Sequence, residues 1–114
     1  MKRILDLDDL DDGALARVLK TATRLAKTPS EGADLLRGRT VGLVFMNNSV
    51  RTLASMQVAA SGLGGSSFVI TPGAGSWAFE TRTGVVMDGA AAEHVREAIP
   101  VLASYCDVLG VRRF

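Results

Sequence analysis

The sequence predicts an α/β protein, a three-layer α/β/α domain built on a small parallel sheet. Residues 40–46 (Thr-Val-Gly-Leu-Val-Phe-Met) form an almost uninterrupted apolar run between polar flanks, the pattern of a strand buried on both faces. Behind that run, Leu53, Met56, Ala60 and Leu63 recur at helical spacing, and Gly64-Gly65 supplies a helix stop. Strand-like and helix-like stretches then alternate to the end of the chain, which implies right-handed crossovers and parallel strands covered by helices.

In order along the chain, a first helix is expected after the acidic cluster Asp8, Asp9, Asp11 and Asp12, because carboxylates favour the positive end of the helix dipole. Leu15, Val18, Leu19, Ala22, Leu25 and Ala26 give it one apolar face, and Pro29 closes it. Ser30-Glu31-Gly32-Ala33 reads as a loop, and Arg37-Gly38-Arg39 as a solvated basic turn before the central strand. Residues 67–70 form a second strand, followed by a long irregular passage over 71–88. A third helix is expected over 90–105, with Val95, Ala98, Ile99 and Leu102 facing inward. Pro100 should kink it near Arg96, since proline removes one helical hydrogen bond and crowds the carbonyl four residues back. Val108-Leu109-Gly110-Val111 is the last strand, with Arg112 at its carboxyl end.

The chemistry concentrates at Asn47-Asn48-Ser49-Val50-Arg51-Thr52, where the central strand gives way to its helix. Ser49 is a natural N-cap, and the first amides of a helix lack intrahelical partners and sit at the positive end of its dipole. A phosphate can accept those amides, while Arg51 and Thr52 project from the first turn. A guanidinium can grip two phosphate oxygens, each charge-assisted bond contributing roughly 1.5–3 kcal/mol. A capping serine and a solvated arginine would look the same on spacing alone. Ligands of parallel sheets collect at the carboxyl ends of the strands. Arg51 and Arg112 both fall on that edge, so two cations are expected to converge on one dianion.

Composition narrows the remaining classes. The 114 residues are 47% apolar, enough for one domain with a core, and the net charge of +1 gives no field for nucleic acid or a membrane surface. No stretch reaches the ~18 apolar residues of a membrane span, and the acidic start is unlike a targeting peptide, so a cytoplasmic location is expected. Cys106 is the single cysteine, which excludes an internal disulfide and fits core packing better than catalysis. Gly73-Ala74-Gly75-Ser76-Trp77-Ala78 matches a dinucleotide fingerprint formally, but 79–88 shows no periodicity for the helix that such a site needs. Trp77 in that glycine-rich stretch is either a plug over the core or an exposed anchor. His94 is by itself an ordinary surface or packing residue.

Ser49-Val50-Arg51-Thr52 resembles the Ser-x-Arg-Thr carbamoyl-phosphate motif of the aspartate and ornithine carbamoyltransferases. Asp6-Leu7-Asp8-Asp9-Leu10, Leu63-Gly64-Gly65 and Leu109-Gly110-Val111-Arg112 resemble further segments of that family. Gly75-Ser76-Trp77-Ala78-Phe79-Glu80, Gly84-Val85-Val86-Met87-Asp88-Gly89 and Glu93-His94 are most similar to the N-acetylornithine and N-succinylornithine types. The resemblance implies attack of an ornithine amine on carbamoyl phosphate with phosphate as leaving group, and neither metal nor organic cofactor. Carbamoyl phosphate would be held by Ser49, Val50, Arg51, Thr52 and Arg112, with Arg51 and Arg112 in the catalytic role, and with Trp77 entering the site of a neighbouring subunit in a homotrimer. Ala92, Glu93 and His94 would lie beside the acylornithine pocket. Acetyl-specific relatives often carry a carboxylate at the position of Ala92.

Two departures and one limit accompany the resemblance. Leu53 stands where many relatives have a second arginine, and Ser55-Met56-Gln57 thins the charge on the following helix, so weaker anion binding is expected. Residues 1–114 correspond to the carbamoyl-phosphate domain, while the family's amino-acid-binding second domain, with its His-Cys-Leu-Pro motif, has no counterpart in them. The alternatives are a non-catalytic anion-binding or oligomerisation module derived from the same fold, and the corresponding domain of an ornithine or other amino-acid carbamoyltransferase.

Overall fold

The chain's most apolar run becomes the centre of its sheet. The computed structural model describes residues 3–73, 77–89, 91 and 93–113. Its elements are α1 (Asp12–Lys27), β1 (Thr40–Phe45), α2 (Val50–Gly62), β2 (Ser66–Ile70), β3 (Phe79–Glu80), β4 (Glu93–His94), α3 (Val95–Ser104) and β5 (Val108–Arg112), with 3-10 turns at Leu7–Asp9 and Pro29–Gly32. β1 lies between β2 and β5, parallel to both, so neither of its edges meets solvent. Leu43 and Val44 are wholly buried and Phe45 nearly so. Consecutive residues of a strand face opposite sides, so an uninterrupted apolar run is what burial on both sides requires.

The crossover from β1 to β2 runs one way along the sheet, and the crossover from β2 to β5 returns over β1. Right-handed connections therefore place α2 and α3 on opposite faces. Side-chain packing agrees. A methyl group added at Gly110 would lie 3.8 Å from Met56 Cε of α2, whereas one added at Gly42 would lie 2.9 Å from Cys106 Sγ, just past α3. Gly42 has no side chain because Phe68 and Leu109 already fill that space from both neighbouring strands, at 2.6 and 2.8 Å from the methyl position.

Polar contacts fix the register at the amino ends of the strands. Asp107 Oδ2 accepts the Thr40 amide at 2.9 Å, Asp107 Oδ1 accepts Arg39 Nη1 at 2.6 Å, and the Asp107 amide donates to Thr40 O at 2.9 Å. The Thr40 amide, then the Arg39 guanidinium, hold the Asp107 carboxyl below its ordinary range. On the other side of β1, the Ser66 amide donates to Arg39 O at 3.0 Å. Arg39 thus touches both neighbours of the central strand, more than the solvated turn expected of it.

The amino-terminal region forms as expected but packs differently. Asp11 caps α1 by accepting the Ala14 amide at 2.6 Å, and a capping box between Asp6 and Asp9 closes the turn before it. The apolar face of α1 does not lie on the sheet. No α1 residue is fully buried, and Val18 and Leu19 are more than half exposed. Near its carboxyl end Leu25 meets Leu63 across Gly32, where an added methyl would lie 3.0 and 2.7 Å from the two side chains. The dimensions are 51 × 29 × 24 Å and the radius of gyration 16.3 Å. A compact chain of ~100 residues would measure about 13 Å. Among the described residues, no helix is long and apolar enough to cross a membrane.

Two further expectations need correction. The third helix begins at Val95 rather than near residue 90, because His94 caps it and residues 93–94 pair as β4 with β3 inside the passage expected to be irregular. The Arg96 carbonyl deprived by Pro100 therefore lies in the first turn of α3, at the helix's edge rather than in mid-helix. The second strand starts one residue earlier than its apolar run, at Ser66.

Gly64 ends α2 with φ +82°, its amide donating to Ser61 O at 2.9 Å, and a methyl there would collide with the Ala33 carbonyl. Gly73 has φ +84° but open space around it. Gly73→Ala is expected to cost only the left-handed strain of about 1–2 kcal/mol. Gly64→Ala should cost about 1–3 kcal/mol more. Urea unfolding of the two variants checks this, and equal losses would mean that the Ala33 contact is unimportant.

Candidate functional site

The carboxyl end of β1 delivers the chain to α2 through Met46, Asn47, Asn48 and Ser49. Ser49 occupies the N-cap position with extended backbone, yet its side chain caps no amide. Its hydroxyl instead donates to Thr52 Oγ1 at 2.9 Å, while Arg112 Nη1 donates to the same oxygen at 3.4 Å. A threonine hydroxyl has two acceptor sites and one proton. With both acceptor sites taken, the Thr52 proton is left to donate outward. The amides of the first α2 turn are likewise not covered by the Ser49 side chain.

Register brings Arg112 to this point. Phe45 pairs with Arg112 across the β1–β5 ladder, and the Met46 amide donates to Arg112 O at 2.9 Å. The two chain positions, far apart in sequence, therefore leave the sheet side by side. Between them opens a cavity of about 490 Å³, walled on the apolar side by Leu43, Phe45 and Met56 and on the polar side by Thr52, Arg112 and Arg113. Gly110 forms its floor, where a side chain would press on Leu43 at 3.3 Å. Among the described residues, no carboxylate lines it. Two guanidinium groups, an outward hydroxyl and uncapped amides make this end of the sheet suited to an oxyanion.

The expected site residues are only partly assembled here. Ser49 and Arg112 each donate to Thr52 Oγ1, which links these three candidates through one oxygen. Arg51 and Val50 are exposed on the first turn of α2, beside the cavity rather than in its lining, where Arg113 joins Arg112. Sequence reasoning passed over Arg113; the signal was a basic pair directly after a strand, at the edge where ligands collect.

The remaining candidates lie elsewhere. Trp77, 73% exposed, is no plug over the core. Glu93 and His94 form β4, pairing with Phe79 and Glu80 of β3, and none of Trp77, Glu93 and His94 lines the Thr52 cavity. Ala92 lies outside the described residues, as do positions 74–76 of the glycine-rich stretch. Residues 79–89 form no helix, which removes the structural context of a dinucleotide site. His94 Nε2 lies 2.9 Å from Arg82 O, and His94 Nδ1 accepts the Arg96 amide at 3.1 Å.

Glu80 and Arg82 form a two-pronged pair, with Arg82 Nε to Glu80 Oε1 at 3.1 Å and Arg82 Nη2 to Glu80 Oε2 at 2.9 Å. The Arg82 amide adds a third bond at 2.8 Å. The Arg82 guanidinium first, then this amide, lower the Glu80 pKa from its ordinary 4.5 to about 2. A depressed carboxyl contributes stability that is present above its ordinary value and lost as the pH falls toward the folded one. The β3–β4 region should therefore loosen between pH 4.5 and about 2. A carboxyl-detected NMR titration should place Glu80 near the lower value, with Arg82→Gln moving it back up; an ordinary Glu80 midpoint in the unmodified chain would contradict this.

Comparison with known proteins places the chain in a family. Residues 2–114 match the family model for the aspartate/ornithine carbamoyltransferase carbamoyl-P binding domain. The chain is 40% identical to N-succinylornithine carbamoyltransferase of Bacteroides thetaiotaomicron, over 100% of this chain and 35% of that protein. It is 39% identical to N-acetylornithine carbamoyltransferase of Xanthomonas campestris pv. campestris, over 100% of this chain and 33% of that protein. It thus spans about a third of the length of these relatives. The crystal structure of acetylornithine transcarbamylase complexed with acetylcitrulline superposes with TM-score 0.88 at 36% identity, covering 100% of this chain and 34% of the other. A glutamate-to-alanine mutant of N-acetyl-L-ornithine transcarbamylase, complexed with carbamyl phosphate and N-succinyl-L-norvaline, gives TM-score 0.89 at 37% identity, again over 100% and 34%. The chain belongs to the aspartate/ornithine carbamoyltransferase family, of which it forms the carbamoyl-phosphate-binding domain.

Proposed function

We propose that this chain binds carbamoyl phosphate at the Ser49–Thr52 turn and serves the transfer of its carbamoyl group to the side-chain amine of an N-acylated ornithine. The observation that carries the reading is the Thr52 hydroxyl, which accepts from both Ser49 and Arg112 and so keeps its own proton to donate. The phosphate group sits among Thr52, the first-turn amides of α2, Arg112 and Arg113, with Arg51 reaching it from the first turn. The amine nitrogen attacks the carbonyl carbon and gives up a proton. The carbon–oxygen bond to phosphate then breaks, and the leaving phosphate takes that electron pair and the amine's proton, departing as the hydrogen phosphate dianion. The residues at the turn orient the mixed anhydride and stabilise charge developing on the departing phosphate, with no covalent intermediate on the protein.

The proposed setting is cytoplasmic arginine biosynthesis in a homotrimer, with Trp77 entering a neighbouring subunit's site. Its exposure supports that role. Calorimetric titration with carbamoyl phosphate or inorganic phosphate at low salt tests the site. Thr52→Val, Arg112→Gln and Arg51→Ala should each weaken binding by about tenfold or more, since each removes a bond to a charged group of roughly 1.5–3 kcal/mol. Parent-like affinity in Arg51→Ala would remove that residue from the site, and parent-like affinity in all three would sink the assignment. Light scattering of the same preparation tests assembly, a strictly monomeric species being the adverse result.

Ala92 bears on the acceptor. A carboxylate there would repel a succinyl tail by about 1–4 kcal/mol for charges a few ångströms apart at effective dielectrics of ~80 to ~20, and alanine removes that repulsion. The glutamate-to-alanine mutant complexed with an N-succinyl ligand supports this reading. An enzyme joining this domain to an acceptor-binding domain should use N-succinylornithine at least as well as N-acetylornithine. Specificity constants for the parent and its Ala92→Glu variant decide the matter, and an acetyl preference that Ala92→Glu leaves unchanged would refute it.

A further inference from the structure

We propose that His94 is a positioning residue, which sets the stance of the Trp77-bearing segment by bonding through both ring nitrogens at once. The proposal rests on the carbamoyltransferase reading only for the purpose of that stance. The Arg82 carbonyl can only accept, so His94 Nε2, 2.9 Å away, carries the proton and donates it. The Arg96 amide can only donate, so His94 Nδ1, at 3.1 Å, is the bare nitrogen that accepts it. One tautomer satisfies both bonds, and the ring ties the turn after β3 to the first turn of α3.

Helix capping alone does not account for this residue. Asp, Asn or Ser would cap α3 better, and a cap uses only one of the two nitrogens. The second bond closes a clamp on Arg82: Glu80 holds its guanidinium and amide while His94 holds its carbonyl. The β3–β4 ladder has only two residue pairs, Phe79 with Glu93 and Glu80 with His94, and so short a ladder is marginal without such support. Trp77 leaves β3 two residues upstream and is 73% exposed, so no core packing fixes its direction. What holds Phe79 and Glu80 against β4 therefore determines where the indole stands. In the proposed enzyme, that direction decides how Trp77 meets the neighbouring site.

His94→Asn and His94→Ala separate the two bonds. Asparagine keeps an acceptor for the Arg96 amide but cannot reach Arg82 O, whereas alanine loses both. The readings are thermal unfolding, fluorescence anisotropy of the sole tryptophan, and hydrogen exchange of the Arg82 amide. His94→Asn should unfold near the parent temperature, yet show lower Trp77 anisotropy and about tenfold faster exchange at Arg82, as expected when one supporting bond of a local unit is lost. His94→Ala should show the same loosening together with a lower unfolding temperature. Parent-like anisotropy and exchange in His94→Asn would overturn the proposal. All three readings are taken without ligand, so failure of phosphate binding leaves them intact and a negative result here leaves phosphate binding untouched.

Discussion

The parallel pairing of β1 with β5 is the constraint on which the rest depends. Phe45 opposite Arg112 sets one guanidinium beside the first turn of α2, and a slip of one residue would turn Arg112 to the other face of the sheet. The register is held from both ends. Asp107 ties the start of β5 to Thr40 and Arg39, and the Met46 amide continues the ladder to Arg112 O. Leu43 and Val44, wholly buried between these ends, supply the apolar reason for the strands to pair at all. The proposed oxyanion site is thus a consequence of strand register, with the hydroxyls of Ser49 and Thr52 completing it.

The same sheet leaves apolar surface uncovered. β5 is an edge strand with Val108 and Val111 about half exposed, and α1 presents Val18 and Leu19 to solvent. Parallel sheets are normally covered on both faces and amphipathic helices normally bury their apolar stripe. Exposure of both fits a domain that spans about a third of the length of its relatives. α1 meets the body where Leu25 approaches Leu63 across Gly32.

How much of this was legible in the sequence depended on the range of each interaction. The central strand was visible because burial on both faces writes an unbroken apolar run, and the turn into α2 because its hydroxyls and charge lie within four consecutive residues. Arg112 was placed correctly at a strand end. Its contact with Thr52 followed once β1 was central, but Arg113 was passed over, since backbone spacing does not say which side chains line a cavity. The Asp107 clamp joins positions 67 residues apart and leaves no local pattern. β3 and β4, two residues each, are too short to show periodicity, and with them the start of α3 and both bonds of His94 stayed hidden. For α1 the amphipathic stripe was readable while its partner was not, because a stripe records that a face is to be covered and not by what.

NMR titration of the chain with carbamoyl phosphate tests the central claim most directly. Saturable shifts at the amides of residues 50–52 and at the Arg112 side-chain Nε–H, with the Thr40–Asp107 end of the sheet unmoved, are the result expected of an oxyanion seated between Thr52 and Arg112. Saturable shifts confined to residues 77–94, with residues 50–52 and Arg112 unchanged, would place the ligand elsewhere and contradict it.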